Sequence, residues 1–217
     1  MAKKPANNVA IIGCGPGSIS YMTVGALKRI KEADVVVGSR RLLNLFPEVR
    51  VEKLVLGRNY RVLLGKIERL SARKKVAVLV SGDPGFFSYA RLVVNRLGKE
   101  RCDIIPGISS IQLAFASIRQ HWSDARFISL HGRKTELNSL VEAVKAHDKV
   151  AVLNDTAMSP KIVCHALKRG GVKDKKVYLC ENLSLGNENV KEYDLASLSR
   201  ANANGINVMI FVSEGCT

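Results

Sequence analysis

The chain has 217 residues, of which 47% are hydrophobic and 24% are charged, so it is long enough to bury a substantial core. No apolar run approaches the roughly 20 residues that a membrane-spanning helix needs, and the N-terminal "MAKKPANN" is not followed by the long apolar stretch of a secretory signal. We therefore expect a cytoplasmic protein that does not associate with membranes. Lys and Arg outnumber Asp and Glu by 34 to 19, and the resulting net charge of +15 favours a polyanionic ligand or partner.

The cysteines predict neither a metal site nor disulfides. They are scattered, with no C-x-x-C pair and no histidine at the spacing of a zinc ligand set. The five residues are Cys14, Cys102, Cys164, Cys180 and Cys216. We expect them to be free thiols in a reducing compartment.

Nine short apolar runs alternate with helical patterns along the chain. These runs span 8–13, 33–38, 51–57, 75–82, 102–107, 126–132, 149–155, 176–183 and 206–213. Continuous β-branched runs bounded by Gly, Asp and Pro are typical of parallel strands that are buried on both faces. Between them, segments such as 88–100 and 136–147 have apolar residues at helical spacing. The pattern predicts an α/β fold.

The polar segment "SIRQHWSDA" indicates a division of the chain. The loops before it are rich in glycine, and those after it are not. Residues 183–195 have the pattern of a β-hairpin, which an all-parallel sheet does not contain. We predict two α/β domains, 1–117 with a mostly parallel sheet and 118–217 with a mixed sheet, and a ligand cleft between them.

Three glycine-containing loops follow apolar strands in the first half. They are "GCGPGS" (13–18), "SGDPGFF" (81–87) and "PGISS" (106–110). In an open parallel sheet, ligands bind at the carboxyl ends of the strands, where loops and helix N-termini present free backbone N–H groups. The three loops together predict a ligand site at that edge.

The first loop does not have the spacing of a dinucleotide-binding loop. That fingerprint is G-x-G-x-x-G, with an acidic residue at the end of the next strand. Here Pro16 interrupts the loop, Ser18 stands in place of the third glycine, and Asp34 precedes the next strand. No G-K-[ST] follows, which also excludes a phosphate-binding loop of the Walker type.

The other two loops each leave two interpretations open. Asp83 can accept a hydrogen bond from a ligand hydroxyl or amine, or it can cap a helix that begins near Phe86. Ser109 or Ser110 can cap the helix that begins there, or donate a hydrogen bond to a ligand.

The three loops, in their order and spacing, resemble those of the tetrapyrrole methylase family, whose members transfer a methyl group from S-adenosylmethionine. The resemblance covers the whole chain. It implies two α/β domains with S-adenosylmethionine bound in the cleft between them, and a homodimer.

Three further stretches, "GSRRLL", "WSDARFISLHGR" and "NDTAMSPKIV", are similar to those of the branch that methylates carbon 5 of a precorrin in cobalamin biosynthesis. In some organisms that activity is fused to one that methylates carbon 15 and decarboxylates. The present chain is too short for both, so we expect a separate carbon-15 partner. The implied substrate is a polyanionic tetrapyrrole.

The resemblance also assigns residues to the cofactor and to the substrate. The cofactor-binding residues that it implies are Asp83, Phe86, Ser109, Ser110, Leu153, Met158 and Asn182. The first loop faces the tetrapyrrole, which assigns Gly15, Pro16, Gly17 and Ser18 to substrate binding. Many members carry Asp at the position of Ser18, and a hydroxyl removes no proton unaided at neutral pH, so an acid–base role is in doubt here.

Charged and titratable residues complete the set of candidates. Arg40, Arg41 and Arg133 are candidates for the carboxylates of the substrate, because a guanidinium group matches a carboxylate with two hydrogen bonds. His131, at a strand end beside a glycine, is the candidate for substrate contact or proton handling. The other three histidines are given no role. Methyl transfer from a sulfonium requires neither a metal nor a covalent enzyme intermediate.

Two alternative functions remain at this point. One is a methyltransferase of the same family that acts on RNA or another acceptor. The other is a non-enzymatic nucleic-acid-binding protein that relies on the charge alone. The charge fits RNA as well, but the resemblance in "GSRRLL" and "SLHGR" favours the corrinoid branch over the first alternative. The second leaves the three glycine loops unexplained. Against nucleic acid as a partner, the basic residues are spread along the chain and aromatic residues make up only 6% of it, which leaves few stacking platforms for bases.

Overall fold

The chain forms two compact units. The computed structural model describes residues 8–57, 59–130, 137–154, 158–203 and 207–215. Contacts divide the chain into Met1–Ser109 and Ser110–Thr217. This division falls eight residues before the predicted boundary at 117, because helix α5 (Ser110–Ser117) packs with strand β10 (Asn207–Ser213) of the second unit.

The first unit is a parallel five-stranded sheet covered by helices on both faces. Its elements are β1 (Val9–Gly13), α1 (Val24–Lys31), β2 (Val35–Gly38), α2 (Arg40–Leu43), β3 (Glu52–Val55), α3 (Tyr60–Leu70), β4 (Val76–Val80), α4 (Ala90–Leu97) and β5 (Cys102–Ile105). The strand order is β3-β2-β4-β1-β5. Every residue of β1 and β4 is buried, since α1 and α2 pack on one face of the sheet and α3 and α4 pack on the other. The predicted parallel sheet is confirmed.

The second unit has a mixed five-stranded sheet. After α5 it contains β6 (Arg126–Ser129), α6 (Leu137–Ala146), β7 (Lys149–Asn154), α7 (Pro160–Arg169), β8 (Lys175–Glu181), β9 (Asn189–Asp194) and β10. The order is β6-β7-β10-β8-β9, in which β6 and β7 are parallel and the other neighbours are antiparallel. The predicted hairpin is β8–β9, and the mixed sheet is confirmed. The edge strand β9 is largely exposed, which is why no apolar run marks it.

Local signals in the sequence set where the helices begin. The hydroxyl oxygens of Thr23, Ser39 and Ser159 accept hydrogen bonds from backbone N–H groups in the first turns of α1, α2 and α7. Pro160 occupies the first position of α7, where its missing N–H has no helical partner to lose. Over the ranges described, none of the helices has both the length and the apolar character that crossing a bilayer requires.

Candidate functional site

The three glycine loops meet at one edge of the first sheet, as the sequence predicts. Strands β4, β1 and β5 are neighbours, so the loops that follow them adjoin. The Gly15 N–H donates to the Gly82 carbonyl (3.3 Å) and the Gly82 N–H donates to the Gly15 carbonyl (2.8 Å). The Cys14 N–H donates to the Val80 carbonyl at 2.9 Å. The first and second loops are therefore joined backbone to backbone.

The backbones of the three loops approach too closely for side chains. A Cβ atom on Gly13 would lie 2.6 Å from the Gly82 carbonyl oxygen, and one on Gly107 would lie 2.5 Å from the same atom. Both distances are shorter than any van der Waals contact, so glycine is required at these positions. Residues 13–18, 81–87 and 106–109 thus form one packed unit, which we call the glycine block.

Asp83 links the second and third loops through its side chain. Its Oδ1 atom accepts from the Gly85 N–H (2.8 Å), and its Oδ2 atom accepts from the Gly107 N–H (3.1 Å). The predicted alternative of a helix cap near Phe86 is wrong, because the next helix, α4, begins only at Ala90. Both carboxylate oxygens of Asp83 thus hold the glycine block together.

The end of the second loop carries two adjacent aromatic rings. The rings of Phe86 and Phe87 meet edge to face, with centroids 4.8 Å apart and planes at 75°. Phe86 is half-buried, whereas Phe87 is exposed to solvent. Phe86 is a candidate from the sequence and Phe87 is not, because the exposure of Phe87 depends on the loop conformation.

The first loop does not lead directly into a long helix. Ser18 Oγ accepts from the Ser20 N–H (3.2 Å) in a short 3-10 turn, and α1 starts only after its own cap, Thr23. Asp34 lies at the opposite edge of the sheet, where its carboxylate accepts from the Lys75 N–H at 2.8 Å. Both observations agree with the exclusion of a dinucleotide-binding loop.

Arg41 reaches the glycine block from helix α2. One of its guanidinium nitrogens donates to Ser81 Oγ at 2.7 Å. Burial raises the pKa of the Cys14 thiol to about 12, and the charge of Arg41 opposes part of that rise. Arg40, the neighbouring candidate, is exposed at the first position of α2.

A further arginine, Arg61, lies at the same edge and was missed. It is the second residue of α3, which follows β3, and its guanidinium carbon lies 5.9 Å from the centroid of the Tyr60 ring. The Tyr89 hydroxyl donates to the Tyr60 carbonyl at 3.0 Å, which ties the start of α3 to the segment before α4. No motif surrounds Arg61 in the sequence, and its position at the carboxyl end of β3 follows only from the strand order.

The candidates of the second unit lie at the end of the sheet where β7 and β8 terminate. Leu153 is the penultimate residue of β7, Met158 is buried just beyond it, and Asn182 follows β8 with a positive φ of 51°. Asn154 is buried between them, and its Nδ2 donates to the Met158 carbonyl and to Asn207 Oδ1 (3.3 Å). Asn154 Oδ1 is buried with no hydrogen-bond partner within the described ranges.

Of the four remaining candidates, the structure describes two. Ser110 is the first residue of α5, and Ser109, directly before it, is buried. His131 and Arg133 lie outside the described residues.

The positive charge is concentrated in the first unit. That unit has 20 Lys and Arg against 8 Asp and Glu, a net charge of +12, whereas the second unit has 14 against 11, a net charge of +3. An attraction for polyanions is therefore mainly a property of the unit that carries the glycine block.

Comparison with known proteins identifies the family. The family model described as Tetrapyrrole (Corrin/Porphyrin) Methylases matches residues 8–199. This chain belongs to that family, and it is a methyltransferase.

Two relatives carry the same activity in their names. A probable cobalt-precorrin-7 C(5)-methyltransferase of Methanocaldococcus jannaschii is 33% identical over 214 residues, which cover 95% of this chain and 98% of the relative. The cobalt-precorrin-7 C(5)-methyltransferase of Salmonella typhimurium is 33% identical over 184 residues, 84% of this chain and 88% of the relative. Both matches extend over both units of the chain.

A longer relative and a solved structure are also similar to this chain. A precorrin-6Y C(5,15)-methyltransferase (decarboxylating) of Sinorhizobium sp is 28% identical over 84% of this chain but only 44% of its own length. The uroporphyrin-III C-methyltransferase of Thermus thermophilus, solved in complex with S-adenyl homocysteine, has a TM-score of 0.78 at 21% identity, covering 95% of this chain and 97% of that structure. The similarity to the Thermus thermophilus structure shows that the two chains share a fold.

Proposed function

We propose that this protein is an S-adenosylmethionine-dependent methyltransferase that methylates carbon 5 of cobalt-precorrin-7, or of metal-free precorrin-7, in cobalamin biosynthesis. The observation that carries the proposal is the near full-length similarity to relatives named for this reaction, in a chain whose first unit carries the glycine block.

Two features of the chain fit a nucleoside cofactor. The glycine block is held by backbone hydrogen bonds and by Asp83 at the carboxyl ends of the strands, which is where ligands of open parallel sheets bind. In the second unit, the buried Asn154 Oδ1 is an acceptor without a partner over the described ranges, and the amino and hydroxyl groups of a nucleoside are donors. We assign cofactor binding to Asp83, Phe86, Ser109, Ser110, Leu153, Met158 and Asn182. Asp83 acts there through the loops that it holds.

The substrate proposal rests on charge. A precorrin carries several carboxylate arms, which are ionised at neutral pH, and the first unit has a net charge of +12. We assign substrate binding to Gly15, Pro16, Gly17, Ser18, Arg40, Arg41 and Arg133. Arg41 is already held beside the glycine block by Ser81. Ser18 Oγ accepts from the Ser20 N–H, and a hydroxyl group can both donate to and accept from a carboxylate or amide of the substrate.

The chemical step makes few demands on side chains. When bound, S-adenosylmethionine supplies a methyl group from its positively charged sulfonium sulfur, and the neutral thioether S-adenosylhomocysteine is the leaving group. The residues of the protein then align the two reactants and exclude water. An electron-rich ring carbon of a reduced tetrapyrrole is the nucleophile, and His131 remains the candidate for handling the proton that is lost from it.

Three further parts of the proposal concern the setting of the enzyme. We propose that it acts as a homodimer in the cytoplasm, as the family resemblance implies. The Sinorhizobium relative, which is about twice as long and named for both the C5 and the C15 reactions, supports a separate carbon-15 methyltransferase and decarboxylase as a partner in the pathway.

Calorimetric titration with S-adenosylhomocysteine tests the cofactor. We expect a dissociation constant in the micromolar range, typical of cofactor sites. No binding to the folded protein would overturn every methyltransferase proposal. Incubation with radiolabelled S-adenosylmethionine and either cobalt-precorrin-7 or total RNA then identifies the acceptor. Label in the RNA and none in the corrinoid would replace the proposed substrate.

A further inference from the structure

Phe87 has a backbone conformation that an aromatic residue rarely adopts. Its φ angle is +48°, in the left-handed region where the Cβ atom crowds the backbone. Residues with such strain persist only where the surrounding structure holds them, and they cluster at functional sites. Glycine at this position would remove the strain, so the presence of phenylalanine there indicates that its ring is needed.

Hydrogen bonds on both sides of Phe87 hold this conformation. Before it, the Phe86 N–H donates to the Asp83 carbonyl (3.2 Å), and the Asp83 carboxylate fixes the Gly85 N–H. After it, Ser88 Oγ donates to the Pro84 carbonyl (2.5 Å) and accepts from the N–H of the first residue of α4 (3.1 Å). The loop is thus built to keep Phe87 in place.

The ring of Phe87 remains open to solvent in spite of this. The residue is 53% exposed, and the ring of Phe86 supports it only edge to face. A rigidly held and exposed aromatic ring is a contact surface for flat, conjugated ligands, because stacking on it costs little conformational entropy.

The surroundings indicate which ligand this is. Phe87 belongs to the same loop as Ser81, to which the guanidinium group of Arg41 is hydrogen-bonded. A conjugated ring with carboxylate arms would use both the apolar ring and the guanidinium. We propose that Phe87 contacts the conjugated part of the tetrapyrrole ring and so selects for a multiply charged macrocycle. This inference rests on the proposed function.

Equilibrium binding of uroporphyrin, a carboxylated porphyrin, tests the inference without the need for turnover. Quenching of its fluorescence gives the dissociation constant for the wild type and for Phe87→Ala. We expect about a tenfold weaker affinity for the variant, which is the size of one lost stacking contact, and an unchanged affinity for S-adenosylhomocysteine.

Three more variants separate the ring contact from a loss of structure. Phe87→Gly removes the strain together with the ring, so its thermal midpoint should be no lower than that of the wild type while its porphyrin affinity falls as in Phe87→Ala. Phe87→Tyr should bind as the wild type does. Ile162→Ala removes a comparably exposed apolar side chain from α7 and should have no effect on either ligand.

The possible results distinguish this inference from the proposed function. Unchanged porphyrin affinity in Phe87→Ala and Phe87→Gly would overturn the inference alone, as would a wild-type protein that binds S-adenosylhomocysteine but not the porphyrin. A loss of S-adenosylhomocysteine affinity in Phe87→Gly would place the ring at the cofactor instead. Wild-type protein that binds neither compound would overturn both.

Discussion

The two units form their loop edges in opposite ways. In the first unit, backbone packs on backbone, and the carbonyl of Gly82 leaves no space for a methyl group on Gly13 or Gly107. In the second unit, a buried side chain holds the edge together, because Asn154 Nδ2 donates to Asn207 Oδ1 and to the carbonyl of Met158. The first edge depends on glycines that have no Cβ atom. The second edge depends on the side-chain amides of Asn154 and Asn207.

This difference predicts opposite sensitivities to small changes. Adding a single methyl group should damage the first edge, while removing a polar group should damage the second. Gly107→Ala and Asn154→Ala, each with a matched control, test the contrast.

The largest effect is expected for Gly107→Ala. Its Cβ would lie 2.5 Å from the Gly82 carbonyl oxygen and 2.8 Å from the carbonyl carbon of Gly13, and neither backbone atom can move alone. We expect a loss of about 3 kcal/mol or more in the free energy of unfolding, at the upper end of overpacking effects, measured by urea denaturation.

Gly57→Ala is the matched control. It lies in a loop of the same unit, where a Cβ would meet nothing within 4 Å. Its stability should stay within about 0.5 kcal/mol of the wild type. Equal effects of the two substitutions would refute the close packing of the glycine block.

A smaller loss of stability is expected for Asn154→Ala in the second unit. The substitution leaves the buried Asn207 Oδ1 and the Met158 carbonyl without the donor that Asn154 provides. We expect a loss of about 2 kcal/mol in thermal or urea unfolding, which is typical of a broken buried hydrogen-bond pair. The exposed Asn187→Ala should be neutral, and a neutral Asn154→Ala would contradict the role of this amide.

Arg41→Ala should affect binding more than stability. Its guanidinium is exposed beside the glycine block, so we expect the KM for the corrinoid to rise about tenfold with little change in kcat, the size of one charge-assisted contact. Arg73→Ala removes the same charge from an exposed site at the other edge of the first sheet. If both variants raise KM equally, net charge and not a specific contact attracts the substrate.

The smallest effect is expected in acid. Hydrogen bonds from Lys66 and Lys74 lower the pKa of Glu52 in the first unit, and hydrogen bonds from Lys176 and Tyr178 lower that of Glu192 in the second, from the usual 4.5. A carboxyl with a lowered pKa stabilises the folded state above 4.5, and this contribution is lost as the pH falls through the lowered value.

Thermal midpoints measured between pH 6 and pH 3 check this expectation. Both glutamates are at the surface, so Glu52→Gln and Glu192→Gln should each flatten the decline only slightly. A decline that becomes steeper in either variant would contradict the assigned shifts.

The contrast between the edges also explains what the sequence could predict. The glycine loops were recognisable because glycine at a strand end reports a close approach of backbones, and the parallel strand pattern places such ends together. The role of Asp83 was not recognisable from the sequence, because its carboxylate bonds to the N–H group of Gly107, which lies 24 residues away.

The second edge offered weaker signals. Asn154 and Asn207 lie 53 residues apart and meet only because β7 and β10 are antiparallel neighbours. Neither residue belongs to a motif, and a single asparagine at a strand end is also common in turns. The strained conformation of Phe87 likewise depends on hydrogen bonds that only the folded loop provides.

The position of the transferred methyl group tests the central claim most directly. The wild-type protein is incubated with S-adenosylmethionine carrying a ¹³C-labelled methyl group and with cobalt-precorrin-7, and the product is examined by NMR. We expect one new labelled methyl group, on carbon 5 of the ring. A label on any other carbon, or no label in either cobalt-precorrin-7 or metal-free precorrin-7 in the presence of bound cofactor, would contradict this function.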